Sequence, residues 1–318
     1  MFALLLGGCI NIDFDPPQII MTKRILGISA NPPEAAFGED IVFEVLAVDE
    51  LGNDLASQPG VTMQWYTCVS LAEIFGGAGL GAGVDLSDTC AEGGPDLIAL
   101  ETDGLPPGQA RLPGAAILAL ATMLQGAGMG MGGELPPGVT MEQLMTLLTV
   151  ITVVGVPLSV SVDIYVDNQL VERGRKRFAI TTREDPTTSP PPPRFSIDGH
   201  VVSARSEDSD DPRVCASLDG DIRVAPATDI VLSPADDEEE WLDDYPVYNL
   251  TGDLQINHEA AFYNWFSTGG EFSREATMSG DHDVTWTTPE DAGTYPVYVV
   301  VRDGHLGTSW CRANVIVN

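Results

Sequence analysis

From Leu158 to Val166 the chain reads Leu-Ser-Val-Ser-Val-Asp-Ile-Tyr-Val, and every second side chain is apolar. A period of two puts those side chains on one face of an extended strand, whereas an amphipathic helix needs a period near 3.6. Asp167-Asn168-Gln169 follows as a turn, and Lys176 to Thr182 reads as a closing strand. The pattern recurs upstream. Val61, Met63 and Trp65 share one face of the segment Val61 to Cys68, and Asp40 to Val48 is apolar with polar interruptions. Ile25 to Ala30 opens the series, Asn31-Pro32-Pro33 turns it, and Asp49 to Asn53 turns it again. Short strands punctuated by turn residues imply an all-β, antiparallel sandwich.

Between these strands lies an insertion, at about residues 70–156, rich in Gly, Ala, Leu and Met. Ala115 to Leu124 has helical composition, and Gly126 to Gly133 is a glycine-rich loop. Thr140-Met141-Glu142-Gln143 has the form of a capping box, with Thr140 as N-cap and Gln143 at N3. A short helical insertion is expected. It either buries its own apolar faces as a hairpin or offers a Met-rich surface to a partner.

The chain has 318 residues, enough for about two domains. The boundary is residues 184–194, where four consecutive prolines favour polyproline II and a semi-rigid spacer. The first domain is then 23–183 and the second 195–318. In the second, Asp291-Ala292-Gly293-Thr294-Tyr295 resembles the Asp-x-Gly-x-Tyr tyrosine corner of immunoglobulin-like domains. The resemblance covers about residues 255–318 and extends to the PKD-type sandwiches of bacterial surface proteins. It implies that the Tyr295 hydroxyl bonds back to the backbone and that Trp265 is the buried tryptophan of the third strand. It also implies that the usual inter-sheet disulfide is missing, since Val297 stands where the cysteine would be. Trp65 gives the first domain a looser version of the plan. The expected architecture is two immunoglobulin-like antiparallel β-sandwiches, a diverged tandem, the first with a helical insertion.

Five cysteines are present. Cys68 and Cys90 flank the start of the insertion, while Cys215 and Cys311 lie near the two ends of the second domain. Of three connectivities for these four, one pair per domain is the simplest. Disulfides place the chain in an oxidising, exported compartment. Metal ligation would need a Cys-x-x-Cys type of cluster, and no such spacing occurs.

The fifth cysteine is Cys9. Leu6-Gly7-Gly8-Cys9 resembles the bacterial lipobox, in which small residues precede a cysteine that receives a diacylglycerol. The resemblance implies that residues 1–8 are the remnant of a signal peptide and that 9–22 form a lipid-anchored tether, with palmitate among the acyl chains. The apolar stretch before Cys9 is about six residues with no Lys or Arg ahead of it, shorter than the usual leader. Two acyl chains hold a protein stably on a membrane. Ile10 after the cysteine implies sorting to the outer membrane.

The net charge is −32, from 47 acids against 15 bases. Such a field repels nucleic acid, which needs Lys and Arg contacts. The densest acidic runs are Asp236 to Glu240, continued by Asp243 and Asp244, and Ser206 to Asp211. Neither has the spacing of an EF-hand; they read as solvated loops, with Ca²⁺ at a loop end as the other reading. His200, His258, His282 and His305 form no metal-binding spacing, although His282 could contribute to a metal site if folded against His305. Asn249-Leu250-Thr251 is a glycosylation triplet of little weight here. No nucleophile elbow or phosphate-binding loop occurs, so no catalytic residue, metal ligand or cofactor is expected. The functional expectation is a cell-envelope lipoprotein serving as a non-catalytic binding, adhesion or structural module, partnered by the membrane and by an envelope protein or polysaccharide. The competing expectation is an accessory subunit of an envelope enzyme or secretion complex that docks through the Met/Gly-rich insertion.

Overall fold

The computed structural model describes residues 18–68, 97–118, 153–204, 215–217, 220–248, 253–274, 276–278 and 282–318. Cys9, Cys90, the Cys68 side chain, Thr140 to Gln143, Ser206 to Asp211 and Asn249 to Thr251 lie outside the described residues.

The first sandwich uses β1 (Arg24–Asn31), β2 (Glu34–Ala36), β3 (Ile41–Val48), β4 (Val61–Cys68), β5 (Leu97–Ala99), β6 (Gln109–Leu112), β7 (Val156–Val166) and β8 (Gln169–Thr181). One sheet has the order β1-β3-β6, the other β2-β8-β7-β4-β5. All pairs are antiparallel except β2 on β8. The alternating stretch becomes β7, which sits between β4 and β8 and buries Leu158, Val160, Val162 and Ile164. Its hairpin to β8 turns through Asp167 and Asn168, both at positive φ, which matches the right-handed twist of a two-residue connection. The core centres on Phe43, with Phe178 edge-on at 5.1 Å and Trp65 stacked at 6.4 Å.

The insertion is shorter than its composition suggests, because β5 and β6 fall inside residues 70–156 and belong to the sandwich. β6 completes a sheet by pairing with β3, and buries Ala110 and Leu112. Strands of three or four residues hemmed in by Gly104, Pro106, Pro107 and Gly108 are too short to show a period. Helix is present at residues 114–118, where Ile117 reaches the core and the Gly114 amide donates to Asp40 at 2.7 Å.

The second sandwich repeats the plan. Its strands are β9 (Phe195–Ile197), β10 (His200–Ala204), β11 (Cys215–Ser217), β12 (Ile222–Val224), β13 (Asp229–Pro234), β14 (Asp244–Tyr248), β15 (Leu254–His258), β16 (Phe262–Ser267), β17 (Glu271–Phe272), β18 (Ala276–Met278), β19 (Val284–Thr287), β20 (Gly293–Arg302) and β21 (Thr308–Val317). The order β12-β21-β20-β16-β18 copies β2-β8-β7-β4-β5, down to the short strand running parallel to the last one. The facing sheet is β11-β10-β9-β13-β19-β17, so the β1-β3-β6 plan gains strands at both edges, and β14-β15 is a separate hairpin. The molecule is thus two immunoglobulin-like β-sandwiches in tandem.

Trp265 on β16 is fully buried, with Phe195 edge-on at 5.6 Å. Tyr295 donates its hydroxyl to the Asp291 carbonyl at 3.0 Å, tying the turn before β20. Cys215 and Cys311 form a disulfide with Cα atoms 5.6 Å apart. The two residues sit on β11 and β21, which belong to different sheets, so an inter-sheet bond exists after all. It is displaced from the position that Val297 occupies, which is why the motif alone did not reveal it.

Candidate functional site

The chemistry of this molecule gathers where the two sandwiches meet. An apolar cluster sits there, with Ile20, Leu26, Leu46 and Val48 on one side and Phe266, Tyr298, Val300 and Trp310 on the other. Residues 18–20 are stitched to the end of β16, since the Ile20 amide donates to the Ser267 carbonyl at 2.8 Å and the Ser267 amide to Gln18 at 3.1 Å. Gln18 and Ile20 are both buried, so the segment expected to be free tether through residue 22 is already folded at Gln18. The turn after β3 plugs into the same place. Asp49 accepts the amides of Leu51 (2.9 Å) and Asn53 (2.8 Å) and the Gln58 side chain (2.8 Å). Burial pushes the Asp49 carboxyl up, but these hydrogen bonds outweigh it and hold it below the ordinary range. The turn thereby presents the Gly52 carbonyl to the Tyr298 hydroxyl at 2.5 Å, with Gly52 in the left-handed region that a side chain resists.

Beside the apolar cluster is a knot of buried charge. Glu34 on β2 is 1% exposed and takes a hydrogen bond from Arg183 at 3.0 Å and one from the Thr187 amide at 2.8 Å, with His305 at 3.3 Å. Burial raises Glu34, but His305, Thr187 and Arg183 together bring it below its usual value. Tyr245 stacks on the His305 ring at 3.9 Å, and Asp303 holds the His305 amide at 2.8 Å. Thr187 and Pro190 are buried and the Ser189 hydroxyl donates to Ala30 at 3.0 Å. The proline-rich linker is therefore a strap lying across the joint and does not hold the modules apart. Polyproline geometry suits both roles; the burial of Thr187 and the Ser189 bond to Ala30 decide between them.

The acidic run closes the other side of the strap. Asp236 accepts the Arg194 amide at 2.6 Å, Asp243 the Thr188 amide at 2.9 Å, Asp244 pairs with His258 at 2.8 Å, and Glu238 with His282 at 2.9 Å. His282 and His305 thus serve different partners and are not brought to one site. Among the described residues no three His, Cys, Asp or Glu side chains gather as a metal site would require. Nor is any described helix long and apolar enough to cross a membrane.

Glu259 receives the Asp243 amide at 3.0 Å and is 3% exposed. Burial, reinforced by the charges of Asp303, Asp243 and Glu34, raises its carboxyl to about 8. The folded protein therefore keeps a proton that the unfolded chain releases near 4.5. Stability is greatest below that value, falls as pH rises toward about 8, and levels off above it. Glu259→Gln mimics the protonated side chain. The variant is expected to melt several degrees above the wild type at pH near 9 and within about a degree of it at pH near 5, as read by thermal melts across that range. Equal melting shifts at both pH values would contradict the assignment.

The third feature is a groove of about 390 Å³ between β1, β8 and the ends of β20 and β21. Arg24, Arg173, Arg175, Lys176 and Arg302 line it, against the single acid Glu172. These are five of the chain's 15 bases. Sequence reading missed this concentration. The signal was there in Arg173-Gly174-Arg175-Lys176-Arg177, a basic run in an acidic chain, but it was absorbed into a strand reading. A Cβ at Gly174 would lie 2.6 and 2.7 Å from the Cδ1 atoms of Ile28 and Ile25, so the ends of those two side chains would have to shift to admit one.

No protein family's sequence profile matches the chain, and no curated protein matches it. Among solved structures, Salmonella alpha-2-macroglobulin is 9% identical, with 96% of this chain and 16% of that one covered and a TM-score of 0.23. Murine CEACAM1b is 10% identical over 93% of this chain and 98% of the other, TM-score 0.19. Fibronectin(III)-like modules of Clostridium thermocellum CbhA are 9% identical over 92% and 94%, TM-score 0.20. The chain spans only a small part of the first of these. Scores this low bear on neither fold nor function, and the architecture stands on the strand order itself.

Proposed function

We propose that this chain is a non-catalytic module of the bacterial cell envelope, lipid-anchored through Cys9 to the outer membrane, in which two sandwiches act as one rigid binding or structural unit. The carrying observation is the joint. Apolar contact, the buried Glu34–His305 pair and the strap all join the two sandwiches, and loosely tethered modules would have no need of them. The Cys215–Cys311 bond supports an exported location. In this reading Cys9 is joined to the sandwiches through Gln18 and Ile20, which are buried beside the joint, so the anchor acts on both sandwiches together.

Metabolic labelling with radioactive palmitate tests the anchor. The wild type is expected to carry the label and to sediment with membranes; Cys9→Ser is expected to lose both. A Cys9→Ser protein that still takes up palmitate overturns the assignment.

A further inference from the structure

The hairpin of β14 and β15 stands apart from the main sheets as a two-stranded sheet of its own. It is clamped at the joint. Tyr245 stacks on His305, the Thr188 amide donates to Asp243 at 2.9 Å, and Arg183 donates to the Asp244 carbonyl at 3.3 Å. β15 is its outer strand, and all five of its residues are exposed. Two of them are large and apolar, Leu254 at 49% and Ile256 at 64%.

The register fixes which backbone groups face outward. Hydrogen-bonded and non-bonded pairs alternate along an antiparallel ladder. The Glu259 amide donates to the Asp243 carbonyl at 3.0 Å, so the bonded pairs continue at Tyr245 with Asn257 and at Val247 with Gln255. Pro246, which has no N–H, then falls at a non-bonded pair opposite Ile256. Leu254, Ile256 and His258 therefore turn their N–H and C=O groups away from β14, toward an edge with which no described strand pairs.

Other edges of this fold are blunted. β2, β5, β11, β12, β17 and β18 have two or three residues each. β6 is bridged to Glu101 through Arg111, and the Leu26 and Ala30 carbonyls of β1 are taken by Arg302 and Ser189. β15 has five residues, and Leu-Gln-Ile-Asn-His includes no Lys, acid or Pro of the kind that protects an edge.

We infer that β15 receives an extended peptide strand of a partner protein, one that alternates apolar with polar side chains and carries Lys or Arg at its ends. Main-chain bonds to Leu254, Ile256 and His258 hold it. Its apolar side chains lie beside Leu254 and Ile256, which share a face, and its polar ones beside Gln255 and Asn257. The basic ends follow from charge. Asp253 precedes the strand, and Glu239 and Asp244 stand at the His258 end with side chains 80% and 68% exposed. A second copy of the chain would bring the same acids together. One five-residue strand pair also falls short of the about 1,200 Å² that a stable dimer buries. The clamped hairpin is already formed, which spares the cost of ordering it on binding. The inference names the kind of partner for the binding unit proposed above and rests on that reading, not on the anchor. It is tested on the purified chain in solution, so it holds or fails independently of palmitate labelling.

Isothermal titration of the full-length chain with the capped peptide Lys-Lys-Val-Thr-Val-Thr-Val-Lys-Lys tests it. Saturable binding with a Kd below about 1 mM is expected. Replacing the four lysines with glutamates is expected to weaken binding at least tenfold, and N-methylation of alternate residues, which blocks strand bonds, to abolish it on whichever alternate set faces β15. Ile256→Pro removes an outward N–H and no ladder bond, so the variant is expected to fold and to bind about tenfold more weakly. Amide exchange by NMR reads the geometry directly. In the free protein Leu254, Ile256 and His258 are expected to exchange faster than Gln255 and Asn257, and saturating peptide to slow the first three at least tenfold. No binding of the lysine peptide, equal binding by both N-methylated forms or by Ile256→Pro, or amides at β15 unmoved by peptide overturns the inference. So does dimerisation of the chain in sedimentation that Ile256→Pro removes, because a second copy would then be the occupant.

Discussion

Glu34→Ala is expected to cost about 3–5 kcal/mol of folding stability at neutral pH, measured by urea denaturation. The carboxylate is 1% exposed and serves Arg183, the Thr187 amide and His305 together. Removing it leaves a guanidinium of 15% side-chain exposure with only the Asp185 and Asp244 carbonyls as acceptors among the described residues, and the buried Thr187 N–H with none. The cost is chiefly that of the stranded partners, since an intact buried ion pair by itself contributes little. Glu34→Gln separates the two effects. Its amide oxygen still accepts from Thr187, so the loss is expected to be about half as large. Acid provides an independent check. Because the folded state holds Glu34 below its ordinary range, its contribution is complete above the unfolded value near 4.5 and is lost as pH falls through the folded value. That acid-dependent part is expected to vanish from Glu34→Ala. A variant as stable as the wild type would mean that the knot is ornamental and that the apolar cluster alone holds the joint.

Replacing Cys215 and Cys311 together with serine is expected to lower stability by about 4 kcal/mol, from the entropy of a long loop released in the unfolded chain. The two residues are 96 apart in sequence and both are buried, at 4% and 0% exposure. Reductant is expected to cost the wild type about that much more than it costs the double variant, in which only the Cys68–Cys90 pair expected from the sequence is left to reduce. A wild type whose melt is indifferent to reductant, with two titratable thiols at these positions, would contradict the pairing.

What could be read in the sequence followed the strength of the local signal. β7 alternates over a full strand and ends in Asp167-Asn168, and its face and turn were both legible. The Asp291-to-Tyr295 run identified a corner because its chemistry is local, a hydroxyl reaching a carbonyl four residues back. β5 and β6 were lost in a glycine-rich stretch, where three or four residues carry no periodicity. The joint was illegible for a different reason. Glu34 and His305 are 271 residues apart, and nothing near either one signals that a carboxylate from the first sandwich meets an imidazole from the second. The linker illustrates the same limit. Its prolines specify an extended backbone, and only the burial of Thr187 and Ser189's bond to Ala30 distinguish a strap from a spacer. Asp163 adds a smaller case. It alternates with the apolar positions of β7, and it is nonetheless 2% exposed beneath Arg173 and Tyr66.

All of this depends on the two sandwiches behaving as a single body. Differential scanning calorimetry of the oxidised full-length chain tests that directly. One transition, with calorimetric and van't Hoff enthalpies in agreement, is the expected result. Two separable transitions in the wild type, unmoved by Glu34→Ala, would contradict it.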